Sequence, residues 1–141
     1  MDDFESFVKR GAARKAFPDI QRARKLVKDG KSRMADVELL DIEKMPKLIF
    51  ENIYDAIRDF LLAVLLSDGY KTISHEAPIS YLLKKNWDVY SAQKIDMFRY
   101  LRNGSKYYGE EISIEQAKDI KAFYIQIKEK INKLIKENKL E

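Results

Sequence analysis

The side chains of this chain best suited to chemistry lie together between Ile95 and Gly109. Within this stretch apolar residues recur at three-residue steps, and this spacing predicts a helix with one apolar face, formed by Ile95, Phe98 and Leu101. Steps of three and four residues link a second, polar face, which carries Arg99, Arg102, Asn103, Lys106 and Tyr107. Three cations, an amide and a phenol within about two turns suit a phosphate or a carboxylate as the ligand. The spacing leaves open the alternative that this face is a solvated basic edge of a core helix.

Other kinds of active site find little support in the sequence. The single histidine, His75 in Ser74-His75-Glu76, cannot build a two-histidine metal site, and its simpler interpretation is local packing at the start of a helix. The sequence contains no Gly-x-Gly-x-x-Gly, no P-loop and no nucleophile elbow around a serine. Cysteine is absent, which excludes a disulfide framework, a thiol nucleophile and a thiolate metal site. We therefore expect neither a metal nor a cofactor.

The composition indicates one helical domain. A chain of 141 residues is long enough for one core, and five glycines with three prolines leave room for long helices. The densest apolar run, residues 60–66, falls far short of the roughly 18–20 residues that a bilayer requires, so no membrane association is expected. The acidic start does not resemble a signal peptide, and together with the lack of cysteine it favours a cytoplasmic protein. The many Ile, Lys and Glu residues point to a thermophile.

Positive charge is concentrated in one segment. Residues 9–33 hold ten Lys or Arg and two Asp, a local charge of +8 in a chain whose net charge is +4. Such a basic segment attracts polyanions, either nucleic acid or the acidic surface of a partner protein.

The hydrophobic periodicity predicts an all-α, up-and-down bundle of about five helices, with no β-strand. Residues 1–17 are expected to form a short helix or a partly ordered arm, and residues 18–141 the bundle domain. The predicted helices span residues 18–40, with a bend or break near Asp29-Gly30, and residues 46–67, which form the central and most apolar helix. A third starts at Ser74, a fourth runs from Val89 to about Gly109, and the last begins at Ser113, where Gln116 completes a capping box.

Four segments, taken in order, resemble the HEPN family (higher eukaryotes and prokaryotes nucleotide-binding). Arg102-Asn103-Gly104-Ser105-Lys106-Tyr107 is similar to the family signature of an Arg, often followed by Asn, and then a His after four to six residues. The segments at 53–58, 69–71 and 74–77 resemble the preceding family segments in the same order, and the ending Tyr107-Tyr108-Gly109 is similar to a largely archaeal branch of small members. The resemblance covers roughly residues 18–134. It implies a helical bundle that usually dimerises, with its polar motif near the dimer cleft. It also implies a possible activity, since many members of the family are metal-independent ribonucleases and many small ones are toxins paired with a minimal nucleotidyltransferase antitoxin.

The resemblance also implies roles for individual residues. Arg102 takes the position of the family's Arg, Asn103 that of the polar residue after it, and Tyr107 that of the His, with Tyr108 one residue further on. A histidine side chain titrates near 6.5 and a tyrosine near 10, so tyrosine is a poor proton carrier at neutral pH. Losing a general acid or base typically costs about 10²–10⁴-fold in rate. The expected phosphate-facing site consists of Arg99, Arg102, Asn103, Lys106, Tyr107, Tyr108 and His75, and Arg102 and Tyr107 are its candidate catalytic residues.

Three functions remain open at this point. The first is a HEPN-like homodimeric module with a degenerate ribonuclease motif, which binds nucleic acid, a nucleotide or a minimal nucleotidyltransferase antitoxin. The second is an active, metal-independent endoribonuclease toxin of a toxin–antitoxin pair that uses Arg102 and a tyrosine. The third is a structural adaptor whose basic segment, residues 9–33, binds an acidic protein.

Overall fold

A computed structural model describes residues 1–141, and its architecture is a bundle of α-helices with one two-stranded ribbon. The elements are α1 (Phe4–Lys9), β1 (Ala13–Lys15), α2 (Ile20–Val37), α3 (Pro46–Ser67), β2 (Tyr70–Thr72), α4 (Ala77–Tyr81), a 3-10 turn (Leu82–Lys85), α5 (Val89–Tyr108) and α6 (Ile114–Glu137). The prediction of an all-α bundle is therefore confirmed in its main feature. The five predicted helices correspond to α2 to α6, and α1 adds a short sixth helix.

The central element is α3, as its composition predicts. It begins at Pro46, where the missing N–H costs no helical hydrogen bond, and it ends at Ser67. Fourteen of its side chains are buried, because α2, α4, α5 and α6 all pack against it. A helix that is apolar around most of its circumference is stable only when neighbours enclose it in this way.

The predicted break near Asp29-Gly30 is wrong: α2 continues through these residues to Val37. Gly30 is fully buried, and a Cβ atom at this position would lie 2.6 Å from Cε1 of Phe60 on α3. The glycine therefore serves close packing between α2 and α3 rather than a break in the helix.

Both long carboxyl-terminal helices begin at side-chain caps. Asp88 accepts a hydrogen bond from the Ser91 backbone N–H at the start of α5. Ser113 and Gln116 form the predicted capping box at the start of α6, with bonds of 3.0 and 2.9 Å between side chain and backbone. Because such caps satisfy amide groups that have no helical partner, they fix the first residue of each helix.

The expectation of no strand is also wrong, because β1 and β2 form an antiparallel ribbon. Its register pairs Ala13 with Thr72, Arg14 with Lys71 and Lys15 with Tyr70. The ribbon continues past its last pair, where the Ala16 N–H donates to the Gly69 carbonyl at 2.8 Å. Strands of three residues are too short to show a hydrophobic period, and a separation of more than fifty residues in sequence conceals their pairing.

The amino-terminal segment packs into the same core as the bundle. Phe4 and Phe7 of α1 are 2% and 1% exposed. The Phe4 ring contacts the rings of Tyr70 and Tyr81, with centroids 5.0 and 4.8 Å away. Of the two alternatives for residues 1–17, the structure thus contains the short helix, and its aromatic side chains hold the ribbon against α4.

None of the helices combines the length and the hydropathy that a membrane span requires.

Candidate functional site

The apolar side of α5 anchors the candidate site to the core. Ile95 and Phe98 are buried, as the spacing predicts, and Leu101 is half-buried. The Phe98 ring lies 5.8 Å from the ring of Phe50 on α3 and 5.5 Å from that of Phe123 on α6. These aromatic contacts fix the rotation of α5 about its own axis and so decide where each polar side chain points.

Arg102 does not lie on the exposed polar face where the sequence analysis placed it. It is only 4% exposed, and its Nη2 donates a hydrogen bond of 3.0 Å to Oδ2 of Asp55 on α3. The spacing allows either direction: Arg102 follows Ile95 by seven residues and Phe98 by four, so it lies at the border between the apolar and the polar face, and the packing of α5 turns it inward. Burial opposes its charge, but the hydrogen bond and charge of Asp55 raise the pKa of Arg102 above its ordinary value.

Asp55 is the centre of a charged network between three helices. Besides Arg102 of α5, it has Nη1 of Arg33 from α2 at 3.8 Å and Nη2 of Arg58 at 3.9 Å. The Arg33 Nε also donates to Asp59 at 3.1 Å, yet burial raises the pKa of Asp59 above its usual value despite this cation. Within the chain, Oδ1 of Asp55 and Nε of Arg102 have no hydrogen-bond partner.

This charged network was not predicted from the sequence, although the spacing of three carboxylates on α3 indicates it. Glu51, Asp55 and Asp59 recur at four-residue steps on the most apolar helix of the chain, so three carboxylates share one stripe. Buried carboxylates are rare unless they are paired, and such a stripe predicts cations on the facing helices. The third carboxylate, Glu51, accepts a hydrogen bond of 3.2 Å from the Ser105 hydroxyl of α5.

Arg99 connects α5 to the segment that precedes α4. Its Nε donates to Asp96 at 2.8 Å, and its Nη2 lies 3.9 Å from Oε1 of Glu76. Burial opposes the charge of this half-buried side chain, but the hydrogen bond and charge of Asp96, together with Glu76, raise the pKa of Arg99. The contact at 3.9 Å is too long for a hydrogen bond, so the Nη2 end of the guanidinium is only weakly engaged.

His75 lies close enough to α3 and α5 for the cations of these helices to affect its pKa. It is an exposed residue of the loop between β2 and α4, outside any helix. Partial burial, followed by the positive charges of Arg58, Arg102, Arg99 and Lys106, lowers the pKa of His75 below 6.5. This shift favours the neutral imidazole, in which one ring nitrogen can accept a proton. Cations of α3 and α5 thus lie near the only histidine, which was predicted as a site residue but at the start of a helix rather than in a loop.

The remaining predicted residues lie around a separate groove on α5. This groove, of about 600 Å³, is lined by Arg99, Tyr100, Asn103, Gly104, Tyr107, Tyr108 and Glu110. Tyr107 and Tyr108 are 62% and 79% exposed, and Lys106 places its ammonium 5.6 Å from the Tyr107 ring centre. Glu110 contributes a negative charge to this groove, because its carboxylate lies over Gly104. The groove is thus aromatic and of mixed charge, which is less suited to a phosphate than the surroundings of His75.

The candidate catalytic pair of the sequence analysis is not joined in the structure. No hydrogen bond links Arg102 to Tyr107: the buried Arg102 guanidinium donates to Asp55, whereas the Tyr107 side chain is 62% exposed. Of the seven predicted residues, Arg99, Arg102, Lys106 and His75 are electrostatic neighbours, whereas Arg99, Asn103, Tyr107 and Tyr108 line the groove. Arg99 is the one residue common to both groups.

No group of three or more His, Asp or Glu side chains is arranged to hold a metal ion. Comparison of the chain with protein-family models, with curated proteins and with solved structures gives no match.

Proposed function

We propose that this protein is a HEPN-like module that binds the phosphodiester backbone of nucleic acid where His75 meets Arg58, Arg99 and Lys106. The observation that carries the proposal is one exposed imidazole, close enough to Arg58, Arg99, Arg102 and Lys106 for their charges to add to partial burial in lowering its pKa. A phosphate at this place would gain the attraction of every one of these charges, and it would relieve their mutual repulsion.

The cations around His75 differ in how free they are to bind a ligand. Lys106 is exposed and has no carboxylate partner within 4 Å, and Arg58 has only the long contact with Asp55. The Nε of Arg99 donates a hydrogen bond to Asp96, whereas its Nη2 makes only a long contact with Glu76 and can therefore bind a ligand. Arg102 is already committed to Asp55, so it acts as a positioning residue whose charge supports the site from the interior.

The direct test is binding of a labelled single-stranded RNA, followed by fluorescence anisotropy. Arg58→Ala and Lys106→Ala should each weaken binding and reduce its salt dependence, since each variant removes one phosphate contact. Lys128→Ala is the matched control, because Lys128 is an exposed cation on α6 away from His75. The proposal fails if the wild-type protein does not bind RNA at about 50 mM salt, or if all three variants bind alike.

A second function, metal-independent cleavage of RNA, is favoured by the exposed position of His75 near these cations and by the lowering of its pKa. A neutral imidazole can take the proton of a ribose 2′-hydroxyl while the 2′-oxygen attacks phosphorus and forms a 2′,3′-cyclic phosphate. The bond from phosphorus to the 5′-oxygen then breaks, and the leaving oxygen takes a proton from solvent or from Tyr107. The surrounding cations would stabilise the charge that develops on the phosphate oxygens.

This second function makes a separate prediction. In the presence of a chelator, the wild-type protein should produce cyclic-phosphate ends, and His75→Ala should lower the rate by about 10²–10⁴-fold. Tyr107→Phe distinguishes the two proton donors, since it lowers the rate only if the phenol delivers the proton. Equal cleavage by wild type and His75→Ala would rule out the imidazole as the base.

A further inference from the structure

A second basic concavity lies beside the ribbon and is absent from the sequence-based site. This ribbon groove, of about 420 Å³, has three cations in its wall, Arg14, Arg22 and Lys71, and leucines 62 and 66 in its floor. No acidic side chain lines it. None of the three cations has a carboxylate within 4 Å. The groove therefore holds three positive charges that nothing in the chain neutralises.

The ribbon places two of these charges directly opposite each other. Arg14 and Lys71 are cross-strand partners, and both are exposed. Like charges in this arrangement destabilise a ribbon, and one of only three pairs here carries that cost. The nearest carboxylate in sequence, Asp19, caps α2 by accepting from the Arg22 N–H at 3.1 Å. A bound anion would remove the repulsion, which is the property expected of a binding surface.

Large apolar side chains stand at both ends of the ribbon. Phe17, beyond the Lys15 end, is 95% exposed, and Ile73, next to Thr72, is 94% exposed. Phe17 lines a neighbouring concavity together with three cations, Arg14, Lys15 and Lys71, and one carboxylate, Asp19, so positive charge is in excess around its ring. An aromatic ring beside a basic groove is the combination with which proteins bind single-stranded nucleic acid, since bases stack on the ring while cations contact the backbone.

Two elements that line the ribbon groove also carry residues of the proposed His75 site. Ile73, in the wall of the groove, precedes His75 by two residues. On α3, Arg58 lies one turn before Leu62 of the groove floor, and the distance along the helix from Arg58 to Leu66 is about 12 Å. A strand whose phosphate binds at Arg58 therefore has to extend only about 12 Å along α3 to reach the far end of the groove.

We infer that the ribbon groove is a second backbone-binding subsite, and that the ligand is a single strand of nucleic acid occupying both subsites. This inference rests on the proposed function and narrows it, because a mononucleotide cannot span the two subsites. Phe17 serves as a stacking platform for a base at the end of the strand. A bilayer surface is the less fitting occupant: the cations line a concavity, which a flexible strand enters, and the two apolar side chains stand at opposite ends of the ribbon.

The experiment compares single-stranded oligonucleotides of increasing length, as RNA and as DNA. For wild type, affinity should rise once the strand is long enough to reach from His75 to the ribbon. Arg14→Ala Lys71→Ala should remove this rise, with a loss of at least about tenfold for long strands and no change for the shortest that bind. Its salt dependence should fall by about 1.4 in slope, since each contact with a single strand contributes roughly 0.7. Lys28→Ala Lys31→Ala is the matched control, because it removes two exposed lysines from α2 outside the groove.

A second pair of variants tests the stacking platform. Phe17→Ala should lower the affinity for long strands by about fivefold or more, and Phe17→Trp should preserve it. Strands that lack bases at the end should bind both variants equally. Because Phe17 is exposed, neither substitution should disturb folding, and far-UV circular dichroism with thermal unfolding checks this for both variants.

The outcomes separate this inference from the function on which it rests. If short strands bind through Arg58 and Lys106 but the ribbon variants bind long strands like wild type, the second subsite is refuted and the proposed function stands. If wild type binds no strand of any length, both are refuted. If the ribbon variants instead lose binding to anionic lipid vesicles and bind oligonucleotides normally, the groove is a lipid-binding surface and the inference is overturned.

Discussion

Arg102 and Asp55, which are 47 residues apart in sequence, form a buried hydrogen-bonded ion pair of 3.0 Å between α5 and α3. The two partners are not equivalent. Asp55 also has the guanidinium groups of Arg33 and Arg58 within 4 Å, whereas Asp55 is the only carboxylate within 4 Å of Arg102. Loss of Asp55 should therefore destabilise the protein more than loss of Arg102.

The first prediction follows from this asymmetry. Asp55→Ala should lower the free energy of unfolding by about 3–5 kcal/mol, because it leaves the Arg102 charge buried without a partner. Arg102→Met should cost less, about 1–3 kcal/mol, since Asp55 keeps two cations. Urea unfolding monitored by the fluorescence of Trp87 measures both values.

A control variant and a double variant are measured in the same urea-unfolding assay. Lys133→Ala removes one member of an exposed pair on α6 and should leave the stability unchanged. The double variant Asp55→Leu Arg102→Met should recover most of the loss, because apolar groups can replace a buried pair. Equal losses for the two single variants would contradict the assigned asymmetry.

The second prediction concerns the protonation of His75. As the only histidine, it gives a single set of imidazole resonances, so a proton NMR titration reports its pKa without assignment. The pKa should lie below 6.5 in the free protein, and Arg58→Ala should raise it, whereas Lys128→Ala should not. A bound oligonucleotide should also raise it, since a phosphate stabilises the imidazolium.

The lowered pKa of His75 makes both the stability of the fold and the affinity for an oligonucleotide depend on pH. Because the pKa of His75 is lower in the folded protein than in the unfolded chain, the unfolded chain binds the proton more readily. Stability should therefore fall as the pH drops from about 6.5 through the folded-state value. Affinity for an oligonucleotide should rise over the same range, and His75→Asn should abolish this rise. A free-protein pKa at or above 6.5 would be incompatible with the cluster described here.

The third prediction tests the contact between α2 and α3 at Gly30. Alanine at this position improves helix propensity by up to about 1 kcal/mol, but its Cβ would overlap the buried Phe60 ring. Overpacking of a core typically costs about 1–3 kcal/mol, so Gly30→Ala should lower the melting temperature. Ser32→Ala, at an exposed position of the same helix, should not lower it. If Gly30→Ala raises the melting temperature, α2 and α3 do not pack as closely as described; relief by Phe60→Leu would locate the overlap.

The fourth prediction uses the like charges of the ribbon. Lys71→Glu places a carboxylate opposite Arg14, and it should raise the free energy of unfolding by about 0.2–1 kcal/mol. Lys71→Gln removes only the repulsion and should give a smaller increase. Lys15→Glu, whose cross-strand partner is Tyr70, is the matched control without a facing cation. Thermal unfolding at low salt resolves the series, and a lower melting temperature for Lys71→Glu would show that the two cations do not repel each other in the folded protein.

Much of the fold follows from local signals in the sequence. The proline at 46 and the apolar residues after it predict α3 with the bounds that the structure has, and the capping box of Ser113 and Gln116 predicts the start of α6. These signals are local because a helix is built from hydrogen bonds four residues apart. Gly30 and the ribbon were predicted wrongly because their reasons lie elsewhere in the chain, in the Phe60 ring and in the pairing of residues 13–15 with residues 70–72.

In the candidate site, too, some features follow from the sequence alone and others from the packing of the helices. The sequence alone determined that α5 carries Arg99, Arg102, Lys106 and Tyr107 on one helix, because their angular spacing follows from the helical period. Only the tertiary structure decided that Arg102 turns inward to Asp55 and that His75, from a loop, comes beside the cations of α3 and α5. The physical reason is that periodicity fixes the angles between side chains on one helix, whereas the packing of Phe98 between Phe50 and Phe123 fixes which of them faces the neighbouring helices.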